Sequence, residues 1–273
     1  MKLRTLLPLV LLPLQALDGQ APSLPADLPA TGWMRVRFSE LPTPEIRPVW
    51  FPYNFNPGEE SFELYIPPDR PGDPYGFLGW TNPEEVAETP RKFEPLLNEY
   101  HLIALSADRC GNEQLLQRRV GLLTSGLLQL KKHIRFDPNR LILSGFSGGG
   151  RTAATGCFAH PEIWRGAICW AGGNFYKKYS LPMPVGASSP GINNFLKNAV
   201  TAKNVKLARA NARFVLISGP KDFNLNDCRG IYRALRQDGF RALMIEEPGM
   251  SHEVGSVDSM RKALEFVFGT PDS

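Results

Sequence analysis

The segment Gly145-Phe146-Ser147-Gly148-Gly149 carries the residue best suited to nucleophilic chemistry, the serine at its centre. An apolar run at residues 141–143 precedes it and small residues follow it, so we predict a strand, a sharp turn and a helix. Glycines two positions on either side of the serine suit a turn that has no room for larger side chains. Ser147 would then project its hydroxyl at the carboxyl edge of a sheet, beside helix N–H groups that can stabilise an oxyanion. The alternative is a solvent-facing serine in a glycine-rich turn.

A serine hydroxyl at neutral pH needs a base within hydrogen-bond reach and a third group that orients this base. Of the four histidines, only His252 lies in a loop after a late predicted strand, at the same sheet edge as the serine. His101 falls near the start of a predicted strand, and His133 and His160 fall at the ends of predicted helices. We therefore predict that His252 is the base.

The carboxylate that would orient this base has several candidates. Asp222 is favoured because it follows a predicted strand by a short Gly-Pro-Lys turn, which again places it at the carboxyl edge. Asp227 is the next candidate, although it could cap the following helix. Glu246 and Glu247 lie closer to His252 in the chain, but they end a predicted strand and we expect them to face away.

Strand-type and helix-type segments alternate along the chain. The predicted strands are residues 33–38, 61–66, 75–80, 100–107, 141–146, 167–170, 213–218 and 241–246. The predicted helices are residues 84–98, 115–134, 148–160, 193–202, 227–238 and 256–268. This alternation predicts an α/β fold with a mostly parallel central sheet and helices on both faces, its first strands pairing antiparallel at one side. Such sheets bind ligands at the carboxyl ends of their strands.

The amino terminus has the pattern of a secretory leader. Two basic residues precede the apolar run at residues 6–17, which is short and which two prolines interrupt. We predict that residues 1–21 are a signal peptide, that the protein is secreted or periplasmic, and that no stable membrane span is left after cleavage. An uncleaved amino-terminal anchor is the alternative.

The rest of the chain divides into two predicted parts. Residues 22–60 form a proline-rich linker and an edge strand, and residues 61–273 form the catalytic domain. Residues 174–212 interrupt the alternation with aromatic, charged and proline residues, which indicates a cap-like insertion over the active site. The alternative is that its aromatic residues only pack the insertion against the body.

Composition excludes several classes of function. The net charge is +4 and the basic residues are scattered, so a nucleic-acid partner is not expected. No Cys-x-x-Cys pair is present, and we predict neither a metal nor a cofactor. The four cysteines are Cys110, Cys157, Cys169 and Cys228. In an exported chain they can form up to two disulfides. The alternative is that they are buried as free thiols, above all Cys157 and Cys169.

Three motifs together resemble the α/β-hydrolase superfamily: the Ser147 turn, Asp222-Phe223-Asn224, and the loop ending at His252 before a terminal helix. Within it, the chain is similar over residues 61–268 to secreted esterases related to polyhydroxybutyrate depolymerases and to feruloyl or acetyl xylan esterases. The resemblance implies that Ser147 is the nucleophile, His252 the general base and then acid, and Asp222 the orienting carboxylate. The order Ser, Asp, His is the one this fold imposes.

The resemblance also implies an oxyanion hole built from the backbone N–H of Gly148 and a second N–H from the loop after the strand at 75–80. Many members have His-Gly there, whereas this chain has Trp80-Thr81-Asn82-Pro83. We expect Thr81 or Asn82 to supply the second donor.

These features predict a serine esterase that cleaves small-molecule or polymer-linked esters through an acyl-enzyme. A small serine peptidase is one alternative. Prolyl-type peptidases usually add a propeller domain, for which 273 residues leave no room, so an ester substrate is favoured. The other alternative is a binding protein that kept this fold and lost the oxyanion chemistry.

Overall fold

The computed structural model describes residues 10–12, 31–37, 60–173 and 200–269. Its strands form one nine-stranded sheet in the order β1-β2-β3-β5-β4-β6-β7-β8-β9. The pairs β1–β2, β2–β3 and β3–β5 are antiparallel, and all others are parallel. The strands are β1 (Val10–Leu12), β2 (Gly32–Arg37), β3 (Ser61–Ile66), β4 (Tyr75–Thr81), β5 (Leu102–Ala107), β6 (Phe136–Phe146), β7 (Gly166–Trp170), β8 (Arg213–Ser218) and β9 (Arg241–Glu246).

Six α-helices are described, and a 3₁₀ turn (Arg91–Phe93) precedes the first of them. The helices are α1 (Glu94–Glu99), α2 (Leu116–Leu130), α3 (Gly148–Ala159), α4 (Ala202–Asn211), α5 (Leu225–Gln237) and α6 (Val257–Phe268). None of the described helices is long and apolar enough to cross a membrane.

Helices cover both faces of the sheet, as predicted. Side chains of a strand alternate between faces, and β6 shows the result. Leu141 and Leu143 join an apolar cluster with residues of α2, α3, α4 and α5. Ile142 joins the opposite cluster, with residues of α1 and α6. Both faces of the central strands are therefore buried, which explains their continuous apolar sequences.

The parallel pairing brings the carboxyl ends of β4, β6, β7, β8 and β9 to one edge of the sheet. At this edge Thr81 pairs with Gly145, Phe146 with Trp170, and Ser218 with Glu246. The loops that follow β4, β6, β8 and β9 therefore emerge at the same edge of the sheet.

The first strand falls within the predicted leader. It pairs antiparallel with β2 at the outer side of the sheet. Cleavage after Ala21 would remove this strand and leave β2 as the edge. The leader itself stays a prediction.

The helix predicted over residues 84–98 is wrong for most of its length, because only α1 is α-helical. The preceding residues form turns whose backbone N–H groups have partners outside any helix. The N–H of Ala87 donates to Asp108 (2.7 Å), and that of Thr89 donates to Glu63 (2.7 Å). These partners belong to other segments, so the local pattern of residues 84–93 does not reveal them.

Residues 174–199 of the predicted insertion lie outside the described residues, as does most of the helix predicted at 193–202. The described end of the segment forms α4. The side chain of Asn204 donates to the carbonyl of Ala159 (2.9 Å), the last residue of α3. This part therefore packs at the end of α3 that is remote from Ser147. The cap over the site stays a prediction.

All four cysteines lie in the described part of the chain, and all four are free and buried. The two disulfides that the sequence allowed are not formed.

Candidate active site

Ser147 occupies the turn between β6 and α3, as the sequence predicts. Its backbone has φ 53° and ψ −117°, a region that residues other than glycine rarely adopt and that costs about 1–3 kcal/mol. Its N–H donates to the carbonyl of Trp170 in β7 (2.8 Å). The sheet and the helix thus hold this strained conformation from both sides.

The glycines around the serine are required by close packing. A methyl group on Gly145 or on Gly149 would overlap the carbonyl oxygen of Thr81 at the end of β4. The backbone nitrogen of Asn82 belongs to the same peptide group and would lie 2.9 Å from a Cβ atom added at Gly149. The two loops that were predicted to form the oxyanion hole are therefore in direct contact.

The structure brings the three predicted side chains together in one chain of hydrogen bonds. The Nε2 of His252 lies 3.0 Å from the Oγ of Ser147, and its Nδ1 lies 2.8 Å from the Oδ1 of Asp222. The carboxylate of Asp222 is buried and also accepts from the hydroxyl of Ser218 (2.6 Å) and the N–H of Asn224 (3.0 Å). These two further bonds fix the carboxylate that orients the imidazole.

The other acidic candidates lie elsewhere. Asp227 is in the first turn of α5. Glu246 accepts from the guanidinium of Arg229 (2.7 Å), and Glu247 accepts from the N–H of Ser256 (2.9 Å). Of the four carboxylates that the sequence offered, Asp222 is the one that contacts the imidazole.

The other histidines lie away from Ser147. His101 is buried at the start of β5, with its Nδ1 3.1 Å from Asp73. His160 follows the last residue of α3 and contacts Glu162 (3.0 Å), and His133 lies in the turns after α2.

Two aromatic rings that sequence reasoning missed enclose the imidazole of His252. Phe223 stacks on it at 4.0 Å between ring centroids, and Phe146 lies at 4.9 Å. Phe223 is nevertheless 76% exposed. Phe146 directly precedes Ser147 and Phe223 directly follows Asp222. This adjacency to the predicted site residues is the signal that could have found them.

Arg119 in α2 is a second residue that sequence reasoning missed. It is 4% exposed and lies behind the turn of Ser147. A guanidinium has five N–H donors, and here each has an acceptor. They are the carbonyls of Cys110 (2.7 Å), Gly148 (3.2 Å) and Asn82 (2.8 Å), the side-chain oxygen of Asn112 (3.1 Å) and the hydroxyl of Thr81 (3.3 Å).

The position of Arg119 could have been noticed from helical spacing. It lies three residues after Leu116 and four before Leu123, on the apolar side of the helix. Burial lowers the pKa of this guanidinium, although the ordinary value is high enough to keep it protonated at neutral pH.

A cavity of about 320 Å³ opens beside the loop that follows β4. Its walls are mainly apolar, with two carboxylates and one ammonium group. The ammonium of Lys92 donates to the carbonyl of Val254 (2.8 Å), which links two of the lining residues. The lining residues are Trp80, Asn82, Pro83, Glu84, Glu88, Pro90, Lys92, Phe146 and Val254. Within the described residues, no group of three or more His, Cys, Asp or Glu side chains could hold a metal ion.

The sequence model of the prolyl oligopeptidase family matches residues 123–269, more than half of the chain. The chain belongs to the prolyl oligopeptidase family. The matched stretch begins within α2 and contains Ser147, Asp222 and His252. This member of the family is therefore a hydrolase of the α/β-hydrolase superfamily, as the sequence motifs indicate. No curated protein matches it significantly in sequence.

Solved structures share the fold of this prolyl oligopeptidase family member. One is FphF, the fluorophosphonate-binding serine hydrolase F of Staphylococcus aureus, at 12% identity and a TM-score of 0.64 over 88% of this chain and 100% of that one. A ferulic acid esterase is similar at 16% identity and a TM-score of 0.56, over 77% and 92% of the two chains. The esterase Est2 of Thermogutta terrifontis is similar at 16% identity and a TM-score of 0.54, over 83% and 92%. At these identities the likeness shows the fold.

Proposed function

We propose that this protein is a serine esterase that hydrolyses carboxylic esters through an acyl-enzyme. The observation that carries the proposal is the continuous hydrogen-bond chain from the hydroxyl of Ser147 through His252 to the buried carboxylate of Asp222. A nucleophile, a base and an orienting acid in hydrogen-bond contact are the groups that acyl transfer requires.

In the first half of the reaction, the Oγ of Ser147 attacks the ester carbonyl while the Nε2 of His252 accepts its proton. The carbonyl oxygen becomes an oxyanion. The N–H groups of Gly148 and Asn82 are the donors proposed to stabilise it, since their loops are in contact behind the serine. The tetrahedral intermediate then collapses, and the alcohol leaves with the proton from the imidazolium. The acyl group remains bound to Ser147.

In the second half, water attacks the acyl carbonyl and His252 accepts a proton from this water. The collapse of the second tetrahedral intermediate releases the carboxylic acid, and the proton returns to Ser147. Asp222 stays ionised throughout. It holds the Nδ1–H tautomer and stabilises the transient imidazolium.

The cavity beside Asn82 is the proposed site for one side of the substrate. Its volume of about 320 Å³ suits a small acyl or alcohol group, and Phe146 connects it to the imidazole. The similar structures named as esterases favour an ester substrate.

A small serine peptidase is the second candidate. Membership of the prolyl oligopeptidase family favours it, because the family is named for peptide cleavage. The same three residues would act, with His252 protonating the departing amine instead of an alcohol.

The test uses the full chain, a fluorophosphonate probe and two substrate sets: p-nitrophenyl esters of increasing acyl length, and dipeptide p-nitroanilides. We expect the probe to label the protein at Ser147 and the esters to be cleaved faster than the anilides. Ser147→Ala should abolish both, and Ser125→Ala, at a buried serine of α2, should abolish neither. Faster cleavage of the anilides would support the peptidase. No labelling and no hydrolysis would leave the binding-protein alternative.

A further inference from the structure

Arg119 is a buried charge that the proposed mechanism does not yet use. Burial of a guanidinium costs several kcal/mol unless hydrogen bonds or a counter-ion compensate. Its five acceptors are all neutral oxygen atoms, so no counter-ion contacts it directly. These hydrogen bonds compensate its burial, together with the electrostatic attraction of the nearby carboxylate of Glu85. What these acceptors have in common is their location, since they belong to three segments that meet behind Ser147.

The guanidinium bridges the two loops that carry the proposed oxyanion donors. On one side it donates to the carbonyl of Asn82 (2.8 Å) and the hydroxyl of Thr81 (3.3 Å). On the other side it donates to the carbonyl of Gly148 (3.2 Å). A guanidinium is planar and rigid, so one group that contacts both loops fixes their separation.

The third segment supports the same arrangement. The side-chain oxygen of Asn112 accepts from Arg119 (3.1 Å) and lies so close to Gly148 that a methyl group there would overlap it. The N–H of Asn112 donates to the carbonyl of Pro83 (2.8 Å), directly after the proposed donor Asn82. Arg119 and Asn112 thus hold both loops from behind.

We propose that Arg119 is a positioning residue for the oxyanion hole, which sets the separation between the N–H groups of Asn82 and Gly148. The inference rests on the proposed function. It also gives a role to the Thr81 side chain in the loop where similar esterases have His-Gly, because its hydroxyl accepts from Arg119. The positive charge behind the hole adds a favourable field for the negative charge that develops in the transition state.

This role makes a prediction that a purely structural role does not. An oxyanion hole acts on the transition state more than on the bound substrate, so its misplacement lowers kcat and leaves KM nearly unchanged. Loss of one oxyanion donor typically lowers kcat by roughly 10²–10³-fold. We expect Arg119→Met, which is neutral and of similar length, to cause a loss of this size. Arg119→Lys keeps the positive charge but loses the planar, forked arrangement of N–H donors, so its kcat should fall roughly tenfold.

The matched control is the adjacent Arg118, which lies in the same helix but donates to Glu60 (2.7 Å) and to the carbonyl of Arg109 (3.1 Å). The variants Arg119→Met, Arg119→Lys and Arg118→Met are compared for melting temperature, fluorophosphonate labelling, kcat and KM on one p-nitrophenyl ester. Arg118→Met should keep kcat within about threefold, as expected for a residue that makes no contact with either loop.

Thr81→Val provides a second route if Arg119→Met fails to fold. It removes one acceptor and keeps the volume, so kcat should fall a few-fold with KM unchanged. Its effect should be less than additive with Arg119→Lys, because both changes act on one hydrogen bond. Any of three results would overturn the inference. The first is that Arg119→Met or Arg119→Lys keeps the kcat of the parent, and the second is that these variants change KM alone. The third is that the effects of Arg119→Lys and Thr81→Val on kcat are fully additive. A parent protein that is neither labelled nor active would instead overturn the proposed function.

Discussion

The Nε2 of His252 lies 3.0 Å from the Oγ of Ser147, although 105 positions separate these residues in the chain. The proximity follows from the sheet, because β6 and β9 run parallel and both end at its carboxyl edge. Asp222 enters from β8 between them, with its carboxylate 2.8 Å from the imidazole.

The first prediction concerns the tautomer of this imidazole. Asp222→Asn keeps the shape of the side chain, but its amide can donate to Nδ1 and stabilise the wrong tautomer. We expect kcat on a p-nitrophenyl ester to fall by roughly 10⁴-fold, as for the equivalent change in serine proteases, while the protein stays folded. Asp227→Asn is the control, because this carboxylate was the next candidate. A larger loss for Asp227→Asn would contradict the assignment.

The second prediction concerns the exposed ring that stacks on His252. An aromatic pair contributes about 0.5–1.5 kcal/mol, which corresponds to a roughly two- to tenfold loss of kcat in Phe223→Ala. Because Phe223 is 76% exposed and makes little other packing, the free energy of unfolding should fall by no more than the contribution of this pair, about 0.5–1.5 kcal/mol. Val86→Ala, at a residue that is 60% exposed, should leave both quantities unchanged. Phe223→Ala with parental kcat would show that the stacking has no role.

The third prediction compares two glycines, Gly149, which close packing requires, and Gly72, which has a positive φ angle. Gly149→Ala would place a methyl group on the carbonyl of Thr81. Urea unfolding should therefore show that the free energy of unfolding falls by about 1–3 kcal/mol or more. The change should also lower kcat, because Thr81 precedes a proposed oxyanion donor. Gly72→Ala adds a methyl group in open space at φ +86°, so it should cost about 1 kcal/mol and leave kcat unchanged. Equal effects of the two changes on kcat would contradict this interpretation.

Local patterns were sufficient to predict the centre of the site. The turn of Ser147 is encoded by neighbours along the chain: an apolar strand, closely spaced glycines and small helix-forming residues. The approach of Asp222 and His252 follows from the alternation of strands and helices, because this alternation decides where loops emerge.

The contacts of the supporting residues could not be predicted in the same way, because their partners are distant in sequence. The acceptors of Arg119 lie up to 38 positions away and in three segments. The turns at residues 83–90 are held by carboxylates such as Asp108, which lies 21 positions from its partner. In both cases a polar group is satisfied by segments that come together only once the sheet has formed.

The fourth prediction concerns the buried thiols. Burial raises the pKa of all four cysteines, that of Cys228 to about 12, so little thiolate exists at pH 8. We expect Ellman's reagent to react slowly with the native protein and to titrate four thiols in guanidinium chloride without a reductant. Fewer than four thiols in the denaturant would indicate disulfides and would contradict the structure. A rapid native reaction would contradict the burial.

The last prediction concerns stability towards acid. Burial lowers the pKa of His101, and the neighbouring Asp73, which is 41% exposed and screened by water, compensates this only in part. Between the lowered folded pKa and the unfolded value of about 6.5, the unfolded chain binds the proton more readily. The free energy of unfolding therefore falls as the pH decreases below about 6.5, by at most about 1.4 kcal/mol per pH unit for this one group.

His101→Asn removes this titration and suits the backbone, since His101 has φ 51° and asparagine tolerates this region. We expect the variant to be less stable than the parent at pH 7.5, because it loses the contact between the rings of His101 and Tyr75, whose centroids lie 4.1 Å apart. The difference between the two free energies of unfolding should shrink as the pH falls from 6.5 to 5, because only the parent has a histidine at position 101 that binds a proton more readily in the unfolded chain. Urea unfolding of both proteins across this range measures it. Parallel curves would show that His101 does not contribute to the acid sensitivity.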